Sequence, residues 1–274
     1  MKRLFTRLAV LLLFASLLGC QPKSVEPYTM TDSLKQDLTT VQSARIFFGH
    51  QSVGGNIMDG VQDLAKESGV RLNILDASAD AGQLPASFLL HTPVGKNTEP
   101  KTKCDDFKRI IDRNLAGKID IALLKFCYID IDENTDVDKL FEYYRYVIDD
   151  LKLRHPDIIF IHVTAAMRHA EGGPSVWVRE LMGKPNRTKL ANLKRHAFNE
   201  KLREVYAGEP MFDLAASEST YPDGSRESFK YDGKTGYSLI GAYTDDGGHL
   251  NDLQAEQRGQ AVAKEDDVLD HEEC

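Results

Sequence analysis

Short apolar runs and amphipathic stretches take turns along this chain from Ala44 onward. A brief run that is apolar throughout suits a strand buried on both faces, and the amphipathic stretch after it suits the crossover helix that two parallel strands require. The pattern predicts strands at Ala44–Phe48, Val70–Leu75, Ile119–Leu124, Ile158–Val163 and Met211–Leu214. Helices are expected over Val53–Ser68, Cys104–Leu115, Val137–Leu153 and Lys189–Tyr206, with Asp136 as an N-cap. Segment 77–103, with Pro85, Pro93 and Pro100, and segment 165–187, with Gly172-Gly173-Pro174, read as irregular excursions, and the tail from Asn251 as a last helix. No internal repeat is present, which excludes a solenoid. The fold class is α/β, doubly wound around a five-stranded parallel sheet, and in such sheets ligands bind at the carboxyl ends of the strands.

The ends of the sequence bear on where this domain works. Lys2, Arg3 and Arg7 precede an apolar run from Leu8 to Leu18, then Gly19 and Cys20. A basic start, a short apolar stretch and a small residue before a cut site describe an export signal, and the run is shorter than the roughly 20 residues of a membrane-crossing helix. Leu17-Leu18-Gly19-Cys20 resembles the lipobox of bacterial lipoproteins, which implies lipidation of Cys20. Gln21, in place of the Asp that marks inner-membrane retention, implies an outer-membrane anchor facing the periplasm. The expected organisation is a signal peptide over residues 1–19, a tether over 20–40 with Pro22 and Pro27, and one domain over 41–274. Removing the signal takes the formal net charge from −8 to −11, and so acidic a body is ill suited to nucleic acid. Cys104, Cys127 and Cys274 remain after lipidation; Cys104–Cys127 is the simplest disulfide, and buried free thiols are the alternative.

Two short blocks carry candidate chemistry. The first strand runs into Phe48-Gly49-His50-Gln51-Ser52-Val53-Gly54-Gly55-Asn56. A Ser between a strand end and a helix start is exposed at the sheet rim, with backbone N–H groups aimed at a developing oxyanion. The same Ser could serve only as an N-cap. Near the far end stands Tyr243-Thr244-Asp245-Asp246-Gly247-Gly248-His249-Leu250-Asn251. An Asp three residues before a His, across two glycines, can fold its carboxylate onto the imidazole. A polar turn capped by Asp, or a metal site of Asp245, Asp246 and His249, are the other readings.

Together, a strand–Ser–helix start and an Asp-x-x-His end resemble the SGNH, or GDSL-like, serine hydrolase superfamily. The resemblance implies a flavodoxin-like three-layer α/β/α sandwich with strand order 2-1-3-4-5. It implies Ser52 as nucleophile, His249 as general base and Asp246 as its orienting partner. Gly82 would stand as a second oxyanion donor and Asn97 as a third, because the family's Gly-x-Asn-Asp block is replaced here by Lys125-Phe126-Cys127-Tyr128-Ile129-Asp130. The first block departs too, with Gly49-His50-Gln51-Ser52 where Gly-Asp-Ser is usual. The implied activity is hydrolysis of an ester through an acyl-enzyme on Ser52, with no cofactor and no metal, on an ester-bearing small molecule, acetylated glycan or lipid, the chain reaching the membrane through its N-terminal lipid. Transfer of the acyl group to a sugar hydroxyl, and a non-catalytic envelope-binding lipoprotein, are the alternatives. Trp177 is a candidate for a carbohydrate subsite or for the core.

Overall fold

A computed structural model describes residues 30–77 and 84–251. The segment expected to be a signal peptide, Cys20, Gly82, the tail after Asn251 and Cys274 lie outside the described residues.

Six parallel strands form one sheet: β1 (Arg45–His50), β2 (Ile74–Asp76), β3 (Phe88–Pro93), β4 (Ile121–Leu124), β5 (Ile159–Val163) and β6 (Met211–Phe212). Their order across the sheet is β2-β3-β1-β4-β5-β6. The five expected strands keep the order 2-1-3-4-5; what is corrected is their number, because a sixth strand stands between the second and the first. The extra strand is β3, inside the segment read as irregular; it pairs with β1 over six residues, from Arg45 opposite Phe88 to His50 opposite Pro93. Pro93 is tolerated because it ends the strand, where a missing N–H breaks no ladder bond, and Val94 N–H resumes the pairing to the His50 carbonyl at 2.9 Å.

The helices in chain order are α1 (Asp32–Ser43), α2 (Ser52–Ser68), α3 (Pro100–Ile110), α4 (Val137–Arg154), α5 (Pro174–Leu181), α6 (Arg187–Val205) and α7 (Leu214–Ser219). Local signals set their ends: Thr31, Asp136, Asn186 and Asp213 cap the starts of α1, α4, α6 and α7 through their side chains, and Gly69, in the left-handed region at φ 73°, closes α2. Alternate strand residues feed two cores. Ile46, Phe48, Ile121, Leu123, Ile161 and Val163 face one side, packed by α1, α2 and α7. Phe47, Phe88, Leu90, Ala122, Leu124 and Phe160 face the other, packed by α3, α4 and α6. The result is an α/β/α sandwich.

Two expectations change here. The tether read over 20–40 gives way to helix from Asp32, since Leu34, Leu38 and Val41 recur at helical spacing and are buried in the first core. The Cys104–Cys127 disulfide is absent: both thiols are free and buried, Cys104 in the second core and Cys127 in the first, so the sheet stands between them. A hairpin of β7 (Ser228–Tyr231) and β8 (Lys234–Tyr237) leads toward the Asp-x-x-His block. Among the described residues no helix is long and apolar enough to cross a membrane.

Connections from β1 run toward β2 and those from β4 run toward β5, so the winding reverses between these adjacent strands. Their carboxyl ends flank the crevice where this architecture places ligands.

Candidate active site

Ser52 is the first residue of α2, directly after β1 and Gln51. The Gln51 side chain makes no cap bond; its amide donates instead to the carbonyls of Val94 at 2.9 Å and Gly95 at 3.1 Å, tying down the loop after β3. The first amides of α2, Ser52 N–H among them, are therefore not taken by a capping side chain and lie at the positive end of the helix dipole.

His249 reaches Ser52 from a loop 197 residues on, with Nε2 3.0 Å from Oγ. Its Nδ1 is 2.5 Å from Asp246 Oδ2. The other oxygen, Oδ1, accepts the backbone N–H of His249 at 2.8 Å and of Gly248 at 2.9 Å. With both oxygens so engaged, the turn is a carboxylate–imidazole turn rather than a set of diverging metal ligands. The imidazole and these amides hold the Asp246 carboxyl well below the usual carboxylate range. An ionised carboxylate only accepts, so the proton of His249 sits on Nδ1 and the Nε2 lone pair faces Ser52.

The loop owes its shape to Gly247, at φ 82°, and to anchors at both ends. Gly247 carbonyl accepts from His169 N–H at 2.9 Å, His169 Nδ1 donates to the Leu239 carbonyl at 3.0 Å, and Asn251 N–H donates to Tyr243 at 3.1 Å. Gly248 has a different reason to lack a side chain, for a Cβ there would lie 2.5 Å from the Tyr128 ring. That ring meets His249 edge-on at 5.8 Å between centroids, and the exposed Arg168 guanidinium lies over it at 5.7 Å.

The block that replaces Gly-x-Asn-Asp has a structural logic of its own. Asp130 accepts from Cys127 N–H at 2.7 Å and Thr98 N–H at 3.0 Å, and pairs with Lys103 where both side chains are fully buried. This shapes the turn after β4 that sets Cys127 Sγ 4.0 Å from Ser52 Oγ and Tyr128 against His249. Asn97 is exposed on the loop ahead of α3, its amide oxygen accepting from Lys103 Nζ at 3.0 Å. Behind Ser52, His50 is buried, with Nδ1 2.8 Å from the Gln51 carbonyl and Nε2 3.0 Å from His91 Nδ1. The sequence gives no hint of that pair, because strand pairing alone brings His91 beside residue 50.

A cavity of about 620 Å³ adjoins the Asp246 turn, lined by Arg168, Arg179, Thr244, Asp245 and Asp246 among others. Trp177 is on α5 and 63% exposed, so it belongs to no core; Val176 and Arg179, not Trp177, face the cavity.

No family model matches the sequence, and no curated protein matches it. Among solved structures the chain is similar to a protein from Streptococcus pneumonia assigned as a platelet activating factor, at 14% identity and TM-score 0.49, covering 94% of this chain and 98% of that one. It is similar to the acetyl xylan esterase AlAXEase at 16% identity and TM-score 0.45, covering 80% and 98%. It is also similar to the periplasmic domain of a Salmonella ser. Paratyphi A lipopolysaccharide acetyltransferase at 10% identity and TM-score 0.42, covering 86% and 89%.

Proposed function

We propose that this chain is a serine esterase of the SGNH-like kind, acting through Ser52, His249 and Asp246. The observation that carries the reading is the unbroken relay from Ser52 Oγ through His249 Nε2 and Nδ1 to Asp246 Oδ2, at 3.0 and 2.5 Å. His249 takes the Ser52 proton as Oγ attacks an ester carbonyl, and Asp246 stabilises the imidazolium that forms. The negative charge gathers on the former carbonyl oxygen, where Ser52 N–H at the start of α2 stabilises it; Gly82 and Asn97 are the candidates for further donors. The imidazolium returns its proton to the departing alkoxide, leaving an acyl-Ser52. Water, deprotonated by His249, then releases the acid and restores the serine. No step calls for a metal or an organic cofactor.

The base and its partner are open to solvent, with side chains 42% and 53% exposed, and water at the acyl-enzyme favours hydrolysis over transfer to a sugar hydroxyl. With Cys20 lipidated, the domain would act in the bacterial envelope, at an outer membrane facing the periplasm, on an acetylated glycan or a lipid ester. The test is turnover of p-nitrophenyl acetate by the purified full chain in detergent. Ser52→Ala is expected to abolish it, and equal turnover by the two proteins would sink the esterase reading.

A further inference from the structure

The peptide bond that supplies the Ser52 N–H has the Gln51 carbonyl at its other end. That carbonyl accepts three donors: Gly54 N–H at 2.7 Å, His50 Nδ1–H at 2.8 Å and, at 3.4 Å, Gly55 N–H. Drawing electron density onto the carbonyl oxygen polarises the amide and leaves its N–H more positive, so bonds at one end of a peptide strengthen donation from the other. Two of these donors belong to the helix itself. The third is a side chain, held in place at its other ring nitrogen by His91.

We propose that His50 is a positioning residue for the oxyanion hole, with His91 fixing its tautomer, the two rings bracing the Gln51–Ser52 peptide from behind. The inference rests on the esterase reading of Ser52. A backbone carbonyl can only accept, so His50 carries its proton on Nδ1. Its Nε2 is then a bare acceptor, and the group 3.0 Å away, His91 Nδ1, must be the donor. Burial keeps His50 neutral, pushing its pKa down to about 4; the bond to the Gln51 carbonyl and, more weakly, Asp76 oppose this, while Lys125 and His91 act with burial. A charged His50 would turn an N–H toward the N–H of His91. Asp76 and Asp59 are the acidic groups that bear on His91, and Asp76 faces it across the β2–β3 pairing. The brace has no slack: His50 packs beside Phe48 at 4.8 Å and against His91 at 5.2 Å between centroids, and the missing side chain of Gly54 makes room for its ring. This gives the departure from Gly-Asp-Ser a purpose. The residues before the nucleophile support its amide and leave substrate contact to others.

The two nitrogens of His50 can be separated by substitution. In the full chain, His50→Asn puts an amide N–H in the place of Nδ1, and His50→Gln reaches the place of Nε2 while leaving the Gln51 carbonyl without its side-chain donor. Loss of a whole oxyanion donor costs about 10²–10³ in kcat, and weakening one costs less. His50→Gln is expected to lose about tenfold in kcat with KM unchanged, and His50→Asn to stay within about threefold of wild type. Nitrogen-15 imidazole spectra should show the wild-type His50 protonated at Nδ1. Equal losses of kcat in the two variants, tracking their thermal midpoints, or an Nε2–H tautomer at His50, would overturn the brace. A wild type that resists a fluorophosphonate probe at Ser52 would overturn the esterase reading and the catalytic role of the brace with it; a labelled wild type with equal losses overturns the brace alone.

Discussion

Gly54 and Gly55 are neighbours in the first turn of α2, and replacing each with alanine should move stability in opposite directions. Alanine in place of a helical glycine stabilises by about 0.5–1 kcal/mol, because the unfolded chain has less freedom to lose. At Gly55 nothing lies within 4 Å of the new methyl, so the gain stands. At Gly54 the methyl would lie 2.3 Å from both Cβ and Cγ of His50. Rotating the His50 side chain cannot relieve this, because Cβ is fixed to the backbone of β1, and the strand is held between β3 and β4. Such overpacking costs about 1–3 kcal/mol, leaving a net loss of up to about 2.5 after the helix gain. In a domain of this size 1 kcal/mol moves the thermal midpoint by about 2–4 °C. Circular dichroism should therefore show Gly55→Ala melting about 1–4 °C above wild type and Gly54→Ala up to about 10 °C below it. Ester turnover should fall in Gly54→Ala, since the displaced ring abuts the Ser52 peptide. Midpoints that move in the same direction would refute the close packing of α2 on His50.

Asp246→Asn should lower kcat by about 10³–10⁴ with little change in thermal midpoint, because an amide at that position admits the wrong tautomer of His249; ester kinetics beside a melt will show it. Lys103→Met should cost about 3–5 kcal/mol in urea unfolding by stranding Asp130 in the core, and Asp130→Asn in the same chain should recover part of the loss. Burial holds His50, and likewise His162, neutral with folded values near 4 against an ordinary value near 6.5. The unfolded chain therefore binds more protons than the native one between these values, and stability is lost as pH falls from about 6.5 to 4, on the order of 3 kcal/mol per ring. Urea midpoints from pH 7.5 to 4.5 should trace that slope, and His50→Asn should make it shallower.

The elements legible in sequence were those with a strong local period. α2, α4 and α6 appeared close to their observed limits, and β1, β4 and β5 stood out as apolar runs because both faces of each are buried. β3 was hidden by Pro85, Pro93 and Pro100, which flank or end it without interrupting its pairing. α1 was hidden by its polar residues, although Leu34, Leu38 and Val41 carried the helical signal. The β7–β8 hairpin turns on Asp232 and Gly233, both at positive φ, an Asp-Gly pair that is itself a hairpin sign. Ser52, Asp246 and His249 could be read because each sits in a block whose residue types explain one another. His91 could not, since its bond to His50 spans 41 residues and exists only through sheet register.

The hydrogen bond between Ser52 and His249 joins residues 197 apart. During synthesis Ser52 emerges early and His249 only after all six strands of the sheet have been made, so the pair comes together late. A nascent or clipped chain that ends before the Asp246 turn keeps the second core and loses only Leu250 from the described residues of the first, yet has no His249 to set against Ser52. Ester turnover would thus report that the Asp246 turn has been made and docked on Ser52, which compactness does not.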